Sequence, residues 1–318
     1  MLERRQFLRC AVAGVGAAMV GGGLSRALAG EPKLERRNER PGMAYARQGA
    51  AGALAAEGGR SGAMQFGVCT PAANSAVAKA AGADFTEGHV QQFLRPADAL
   101  WQKPLDPKTL PVPIAAYTCL LPGDLKVTGP SVDMLKIKAY MARVCKRCRE
   151  MGSSVLVFGS GGARNIPDGW PREKAEEQFV EVMRLMGPLA REAGITIALE
   201  PLNRSESNIL NSVAEGLEYL RRARAAGMTI LCDFYHMAVE NETLETLGQA
   251  GKLLSHVHLA EPKGRVAPRP GGTNLRPFFA ALKGIGYDRR ISLECSWENL
   301  AAQLGPTLEY LRAEWAAA

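Results

Sequence analysis

Four side chains in the second half of the chain could together hold a cation and move protons: Glu200, Asp233, His258 and Glu294. Each closes a short apolar run, in Ile-Ala-Leu-Glu200, Ile-Leu-Cys-Asp233, Ser-His256-Val-His258 and Ile-Ser-Leu-Glu294. The successive spacings are 33, 25 and 36 residues, each close to one strand–helix unit of about 30 residues. Four consecutive units would then deliver one ligand apiece to the same end of a sheet. An ionised carboxylate at the end of an apolar strand is costly to bury unless it is paired or bound to a cation. None of the four runs contains a lysine or arginine, so a divalent ion supplies the missing charge most simply. Three carboxylates and one imidazole form a hard, oxygen-rich set that favours Mn²⁺ or Mg²⁺, with Co²⁺ or Zn²⁺ as alternatives. His256 and His258 are two apart and share a strand face, so one can ligate while the other lies a layer deeper. His89, two residues after Glu87 at the end of an earlier run, faces the same cavity or the surface.

The elements that must position these groups repeat along the chain. Candidate strands fall at 65–69, 84–87, 112–117, 154–158, 196–200, 229–233, 255–259 and 290–294. They are mostly rich in Val, Ile and Leu without alternation, as strands covered on both faces should be. Helical patterns separate the later ones, at 132–151, 172–193, 212–226, 243–254, 275–285 and 297–315. Ser212 with Glu215 reads as a capping box, and Gly152, Gly194, Gly227 and Gly286 stand where helices should stop. Eight such units in about 250 residues predict an α/β fold, a single-domain (β/α)8 TIM barrel over residues 63–318. The alternative, a doubly wound open sheet, calls for a Gly-rich phosphate turn after the first strand. That turn reads Thr70-Pro71-Ala72-Ala73-Asn74 instead. A glycine cluster, Gly159-Ser160-Gly161-Gly162 with Arg164 beside it, follows the fourth strand. It reads either as an anion cradle or as an ordinary loop.

The 318 residues are 47% apolar and 22% charged, a globular composition. No stretch approaches the roughly 20 consecutive apolar residues of a bilayer span, so a polytopic membrane protein is excluded. Of the net charge of +7, residues 1–29 and 30–62 carry +5 between them. The remainder is too weakly basic for a nucleic-acid binder, and no nucleic-acid partner is expected. Residues 1–29 open with Arg4-Arg5-Gln6-Phe7-Leu8, continue through a Gly/Ala-rich apolar run and end in Ala27-Leu28-Ala29. That order resembles a twin-arginine signal peptide. The resemblance implies the export machinery as a partner, a periplasmic or otherwise exported location, and no stable membrane span once the signal is cleaved. Residues 30–62, a mixed-charge run followed by Ala, Gly and Ser, read as a flexible linker. Cys145 and Cys148 form one C-x-x-C within a helical pattern, with no second pair to complete a zinc site. Cys69, Cys119, Cys232 and Cys295 read as buried thiols. Trp101, Trp170, Tyr117 and Phe234 either fill the core or stack on a ligand. A homo-oligomer is compatible with the sequence.

Glu-x-x-Asn203-Arg, Asp-x-x-His236-Met, His-x-His and a last strand ending in Glu together resemble the xylose-isomerase-like sugar isomerase/epimerase superfamily. The likeness is nearest to the D-tagatose/D-psicose 3-epimerases and hydroxypyruvate isomerases. It implies that Glu200, Asp233, His258 and Glu294 bind a divalent metal and that Glu200 and Glu294 are the paired acid/base groups. It further implies that His236 binds a substrate oxygen, and that Glu206 and Arg265 orient the substrate and a catalytic glutamate. His256, Asn203, Glu87 and His89 stand near this set without an assigned role. The chemistry that follows is proton removal beside a ketose carbonyl through a cis-enediolate, giving epimerisation or aldose–ketose isomerisation of a sugar or sugar phosphate. The alternatives are a metal-dependent lyase or dehydratase acting on keto-sugars or inosose, and a non-catalytic exported carbohydrate-binding barrel.

Overall fold

The structure is a computed structural model that describes residues 64–99 and 101–318. The signal-peptide and linker readings of residues 1–62 lie outside the described residues. Eight parallel strands close on themselves in chain order: β1 (Gln65–Cys69), β2 (Phe85–His89), β3 (Ile114–Thr118), β4 (Val155–Phe158), β5 (Thr196–Leu199), β6 (Met228–Asp233), β7 (Leu254–Leu259) and β8 (Arg290–Leu293). β1 pairs with β8, with Phe66 opposite Ile291, and that ladder seals the ring. The TIM barrel is thus observed, and the open sheet is excluded.

Strand side chains alternate between the inside and the outside of a barrel. Phe66, Val68, Leu156, Phe158, Ile197, Leu199, Val257, Ile291 and Leu293 belong to the large cluster shared with the helices. The alternate positions Ala116, Val155, Val157, Ala198 and Leu231 form a small cluster of their own. The same parity turns Glu200, Asp233, His256, His258 and Glu294 inward. Their place on one wall of the barrel therefore follows from periodicity alone.

The helices are α1 (Ser75–Ala80), α2 (Met134–Glu150), α3 (Gly161–Arg164), α4 (Arg172–Glu192), α5 (Val213–Ala223), α6 (Phe234–Val239), α7 (Glu245–Ala250), α8 (Arg276–Gly284) and α9 (Leu300–Ala317). α2 buries Ile137, Met141, Val144, Cys145 and Cys148, the stripe expected of a helix laid on a sheet. The C-x-x-C is therefore core packing, and all six cysteines among the described residues are free thiols. The helix expected over 243–254 is shorter, because Gly251 turns the chain at φ +48° and a 3₁₀ turn, Gly251–Leu253, completes the connection. β2 runs two residues further than expected, so Glu87 sits inside the strand and His89 at its end. No helix among the described residues is long and apolar enough to cross a membrane.

At the start of α5 the Ser212 side chain accepts the Glu215 N–H at 3.0 Å. Glu215 reaches past the cap and takes the N–H groups of Leu210 at 3.1 Å and Asn211 at 2.6 Å. This fixes the end of the loop that leaves β5. Ser212→Ala should cost about 1 kcal/mol, a fall of roughly 2–4 °C in melting temperature for a domain of this size. Thermal denaturation followed by circular dichroism checks it.

Candidate active site and metal centre

The carboxyl ends of β5, β6, β7 and β8 bring Glu200, Asp233, His258 and Glu294 together, with one donor atom of each within 4.8 Å of all the others. His258 Nδ1 lies 2.8 Å from Glu200 Oε1 and 3.4 Å from Glu294 Oε2. Ligands about 2.1 Å from a common hard cation stand roughly 3 Å apart when adjacent, so these separations and this donor set fit a divalent ion. Cys69, Glu87 and His258 also gather within 4.8 Å. Burial, followed by the charge of Glu87, holds the Cys69 thiol far above its usual range. A thiol that keeps its proton is a poor ligand, and Cys69 Sγ instead meets Ser292 Oγ at 3.2 Å.

Arg265 is the counter-charge over the cluster. Its guanidinium binds the Glu294 carboxylate, and lies 3.4 Å from both Asp233 Oδ2 and Glu206 Oε1. It also stands 4.7 Å from the centre of the Tyr235 ring. Arg265 adopts φ +50°, a left-handed conformation unfavourable for a residue with a side chain. Two backbone bonds hold it there: Ser296 N–H to the Arg265 carbonyl at 2.7 Å and Glu261 N–H to the Val266 carbonyl at 2.9 Å. The Glu261 carboxylate in turn accepts the Thr273 N–H at 3.1 Å, which ties down the far end of the loop.

His236, on α6, presents its ring from the side. The backbone N–H of Asn203 donates to His236 Nδ1 at 3.1 Å, so a neutral ring must carry its hydrogen on Nε2. Burial, reinforced by Arg265, keeps this imidazole neutral by pushing its pKa well below the ordinary value. Nε2 has no hydrogen-bond partner in the structure and lies 3.5 Å from Asp233 Oδ2. It is a buried donor facing the cluster. Asn203 also supports Glu206, donating from Nδ2 to Oε1 at 3.1 Å.

Electrostatics divide the acids. Burial pushes Asp233 up to about 7, partly offset by Arg265. Glu294 feels the same burial, but Arg265 and His258 outweigh it and hold the carboxyl down at about 2. Glu206 is raised, by burial first.

The glycine cluster after β4 has a different purpose from anion binding. A methyl group on Gly159 would drive into Glu200 Oε2, and one on Gly161 would stand 2.7 Å from the Glu206 carbonyl. Both glycines exist so that the β5 loop can approach. Arg164 is fully buried and spends its donors inward, on the carbonyls of Glu200 at 2.7 Å, Phe158 at 3.1 Å and Leu210 at 3.2 Å and on Ser207 Oγ at 3.3 Å. It locks the backbone of Glu200, and desolvation lowers its pKa to about 10. An arginine beside a Gly-rich turn is the only trace of this in the sequence.

The acids, histidines, Asn203 and Arg265 singled out in the sequence all lie in this region. Glu87 touches His258 and His256, and His89 is buried one inward position above it. The four aromatic candidates do not line the cluster as a group. Tyr117 is wholly buried in the outer core, and Phe234 packs on Phe278 with ring centres 4.8 Å apart. Trp101 and Trp170 carry cationic side chains on their faces.

A closed parallel barrel with a carboxylate–histidine cluster at its carboxyl mouth defines a TIM barrel built around one metal-type site. The chain belongs to the Xylose isomerase-like TIM barrel family, which matches residues 76–314. It is 35% identical over 139 residues to an L-ribulose 3-epimerase of Methylomonas sp. (strain DH-1), covering 43% of this chain and 48% of that one. It is 30% identical over 159 residues to the 3-dehydro-D-guloside 4-epimerase of Escherichia coli (strain K12), covering 48% and 60%. The chain thus spans about half to three fifths of the length of these curated relatives. In fold it is similar to D-allulose 3-epimerase from Methylomonas sp. solved with D-allulose: TM-score 0.67, 24% identity, 79% of this chain and 97% of that one.

Two outcomes follow from the geometry. Gly159→Ala should leave the barrel folded and weaken divalent-ion binding by about 10-fold or more, since a displaced ligand costs at least what a lost supporting bond does. Isothermal titration with Mn²⁺ measures it. Asp233 is raised from 3.8 to about 7 in the folded chain, so its contribution to stability is complete below its unfolded pKa and is lost as pH rises through about 7. The melting temperature of chelator-treated protein should therefore fall between about pH 4 and pH 7, and Asp233→Asn should flatten that slope.

Proposed function

We propose that this protein is a divalent-metal-dependent sugar epimerase or isomerase, acting on a ketose or on a keto-sugar derivative. The observation that carries this reading is the clustering of Glu200, Asp233, His258 and Glu294 within 4.8 Å beneath Arg265 and His236. The curated relatives named above are epimerases that act beside a carbonyl carbon, which points the same way. Glu200, Asp233, His258 and Glu294 would hold the ion, with Mn²⁺ or Mg²⁺ the best match to the donors. Bound there, it supplies Lewis acidity that draws charge from a carbonyl oxygen and acidifies the hydrogen on the neighbouring carbon.

The chain's own groups do the rest. Glu294, ionised at neutral pH, accepts the proton from one face of that carbon, Glu200 delivers to the other face a proton taken from solvent, and Glu294 then releases its own to solvent. The His236 Nε2–H and the Arg265 guanidinium meet the negative charge that develops on the substrate oxygens. Glu206 and Asn203 keep those two donors in place. In the isomerase variant one glutamate returns the proton to the adjacent carbon. The opening residues further suggest twin-arginine export, for which signal cleavage after Ala29 in the expressed protein is the test.

Full chain loaded with Mn²⁺ and incubated in deuterated water with free ketoses, ketose phosphates and 3-dehydro-glycosides should incorporate one deuteron beside the carbonyl and yield an epimer or isomer. Glu294→Gln and Glu200→Gln should each lower turnover about 10²–10⁴-fold. Chelation should abolish it and Mn²⁺ restore it. Loss of water or of an aglycone would establish a lyase instead, and saturable sugar binding without exchange would establish a binding barrel.

A further inference from the structure

Below the cluster lies a second polar tier that the proposed chemistry does not use. Glu87, on the opposite wall of the barrel from β7, is fully buried between two histidines of that strand. His256 Nε2 lies 2.9 Å from Glu87 Oε2, and His258 Nε2 lies 3.1 Å from Oε1 and 3.2 Å from Oε2. A carboxylate only accepts hydrogen bonds, so each of these nitrogens carries its hydrogen. His258 Nδ1 itself lies 2.8 Å from Glu200 Oε1 and 3.4 Å from Glu294 Oε2, so the metal-free ring holds a hydrogen on that side as well; a cation entering among these carboxylates displaces it, and the ring then keeps its remaining hydrogen on Nε2, against Glu87. We propose that Glu87 is a positioning residue: through its bond to His258 Nε2–H it selects the ring tautomer whose Nδ1 can bind a cation, and it makes that nitrogen a stronger donor. The inference deepens the metal site of the proposed function and rests on it.

The surroundings favour a dedicated clamp over incidental packing. Both partners are on one strand, two residues apart, so a single carboxylate meets both rings edge-on. Glu87 is mid-strand in β2 and opposite Cys69 and Ala116 in the ladders, so its backbone is fixed on both sides. No group donates to His256 Nδ1 in the structure, so its bond to Glu87 is the only side-chain hydrogen bond found for that ring among the described residues. Replacing Glu87 by Gln substitutes an NH₂ for one oxygen and sets it against a ring N–H. With the NH₂ toward His258, that ring's hydrogen moves to Nδ1 and blocks the cation; with the NH₂ toward His256, His258 keeps its tautomer but loses the negative charge that made Nδ1 a stronger donor.

The test uses the purified full chain, stripped of metal and retitrated. Glu87→Gln should bind Mn²⁺ about 10- to 100-fold more weakly than the parent, the range for a lost bond behind a metal ligand. Visible bands of the Co²⁺ form should shift, while the melting temperature of the metal-free variant reports its stability separately. Long-range ¹⁵N–¹H spectra of the Zn²⁺-loaded parent should show His258 protonated at Nε2. Should Glu87→Gln fail to fold, Glu87→Asp, which keeps the charge but withdraws it by one methylene, should show an intermediate loss. Parental affinity and parental Co²⁺ bands in the variants, or a bare Nε2 in the parent, would overturn the role of Glu87 alone. A parent chain that takes up no divalent ion would overturn the metal reading and this inference together.

Discussion

Negative charge confined in a dry barrel mouth is the constraint on which this structure depends. Glu87, Glu200, Asp233, Glu206 and Glu294 are all withdrawn from water to a large degree, and an isolated buried carboxylate costs several kcal/mol even after relaxation. The cations set against them are few: Arg265 from above, and His258 when protonated from within. Arg265 serves three carboxylates at once, which accounts for the strained left-handed backbone that carries it. A relaxed conformation would aim the guanidinium elsewhere, and the bonds from Ser296 and Glu261 hold it against that tendency. What Arg265 cannot neutralise appears as the elevated pKa of Asp233, a group waiting for a second positive charge.

The barrel converts sequence periodicity into depth. Inward positions two residues apart form successive tiers, so His256 and Glu87 lie below, His258 bridges, and Glu200, Asp233 and Glu294 ring the top. The apolar floor is made of small residues, Ala116, Val155, Val157 and Ala198 among them, and leaves the polar tiers room to stand upright. Outside, the large side chains bind the strands to the helices and keep the ring rigid. Gly159, Gly161 and Arg164 then set the β5 loop against the β4 loop, so that the position of Glu200 is determined by backbone contact as well as by its own strand.

Much of this is legible in the sequence. Spacing near one strand–helix unit placed Glu200, Asp233, His258 and Glu294 on consecutive strands, and strand parity turned them to one face, because both properties are local. What was hidden is non-local. Glu87 meets His256 and His258 across separations of 169 and 171 residues, and nothing near Glu87 in the sequence announces a partner. The glycine cluster was ambiguous for the same reason: its need for small residues comes from Glu200 and Glu206, some 40 residues on. The early break of α7 came from the backbone angle of Gly251, to which apolar periodicity is blind. The helices after the first two strands were obscure: α1 is six residues long, too short to show a period, and β2 is followed by the short helical turns Val90–Leu94 and Pro107–Thr109.

The division of pKa values has a consequence for the proposed chemistry. A glutamate held near 2 by Arg265 and His258 is reliably ionised but weakly basic, and proton transfer is efficient only when donor and acceptor are matched. Such a base can take a proton from carbon only if the carbon acid is strengthened, so the burden falls on whatever polarises the substrate carbonyl. The mouth is arranged for that burden. His236 is kept neutral with its hydrogen on Nε2, Arg265 is permanently charged, and the proposed cation would sit in the oxygen-rich pocket beside them. Strong polarisation paired with a weak, always-available base suits the labile hydrogen beside a ketone. It does not suit the activation of water for hydrolysis, where the base itself must be strong.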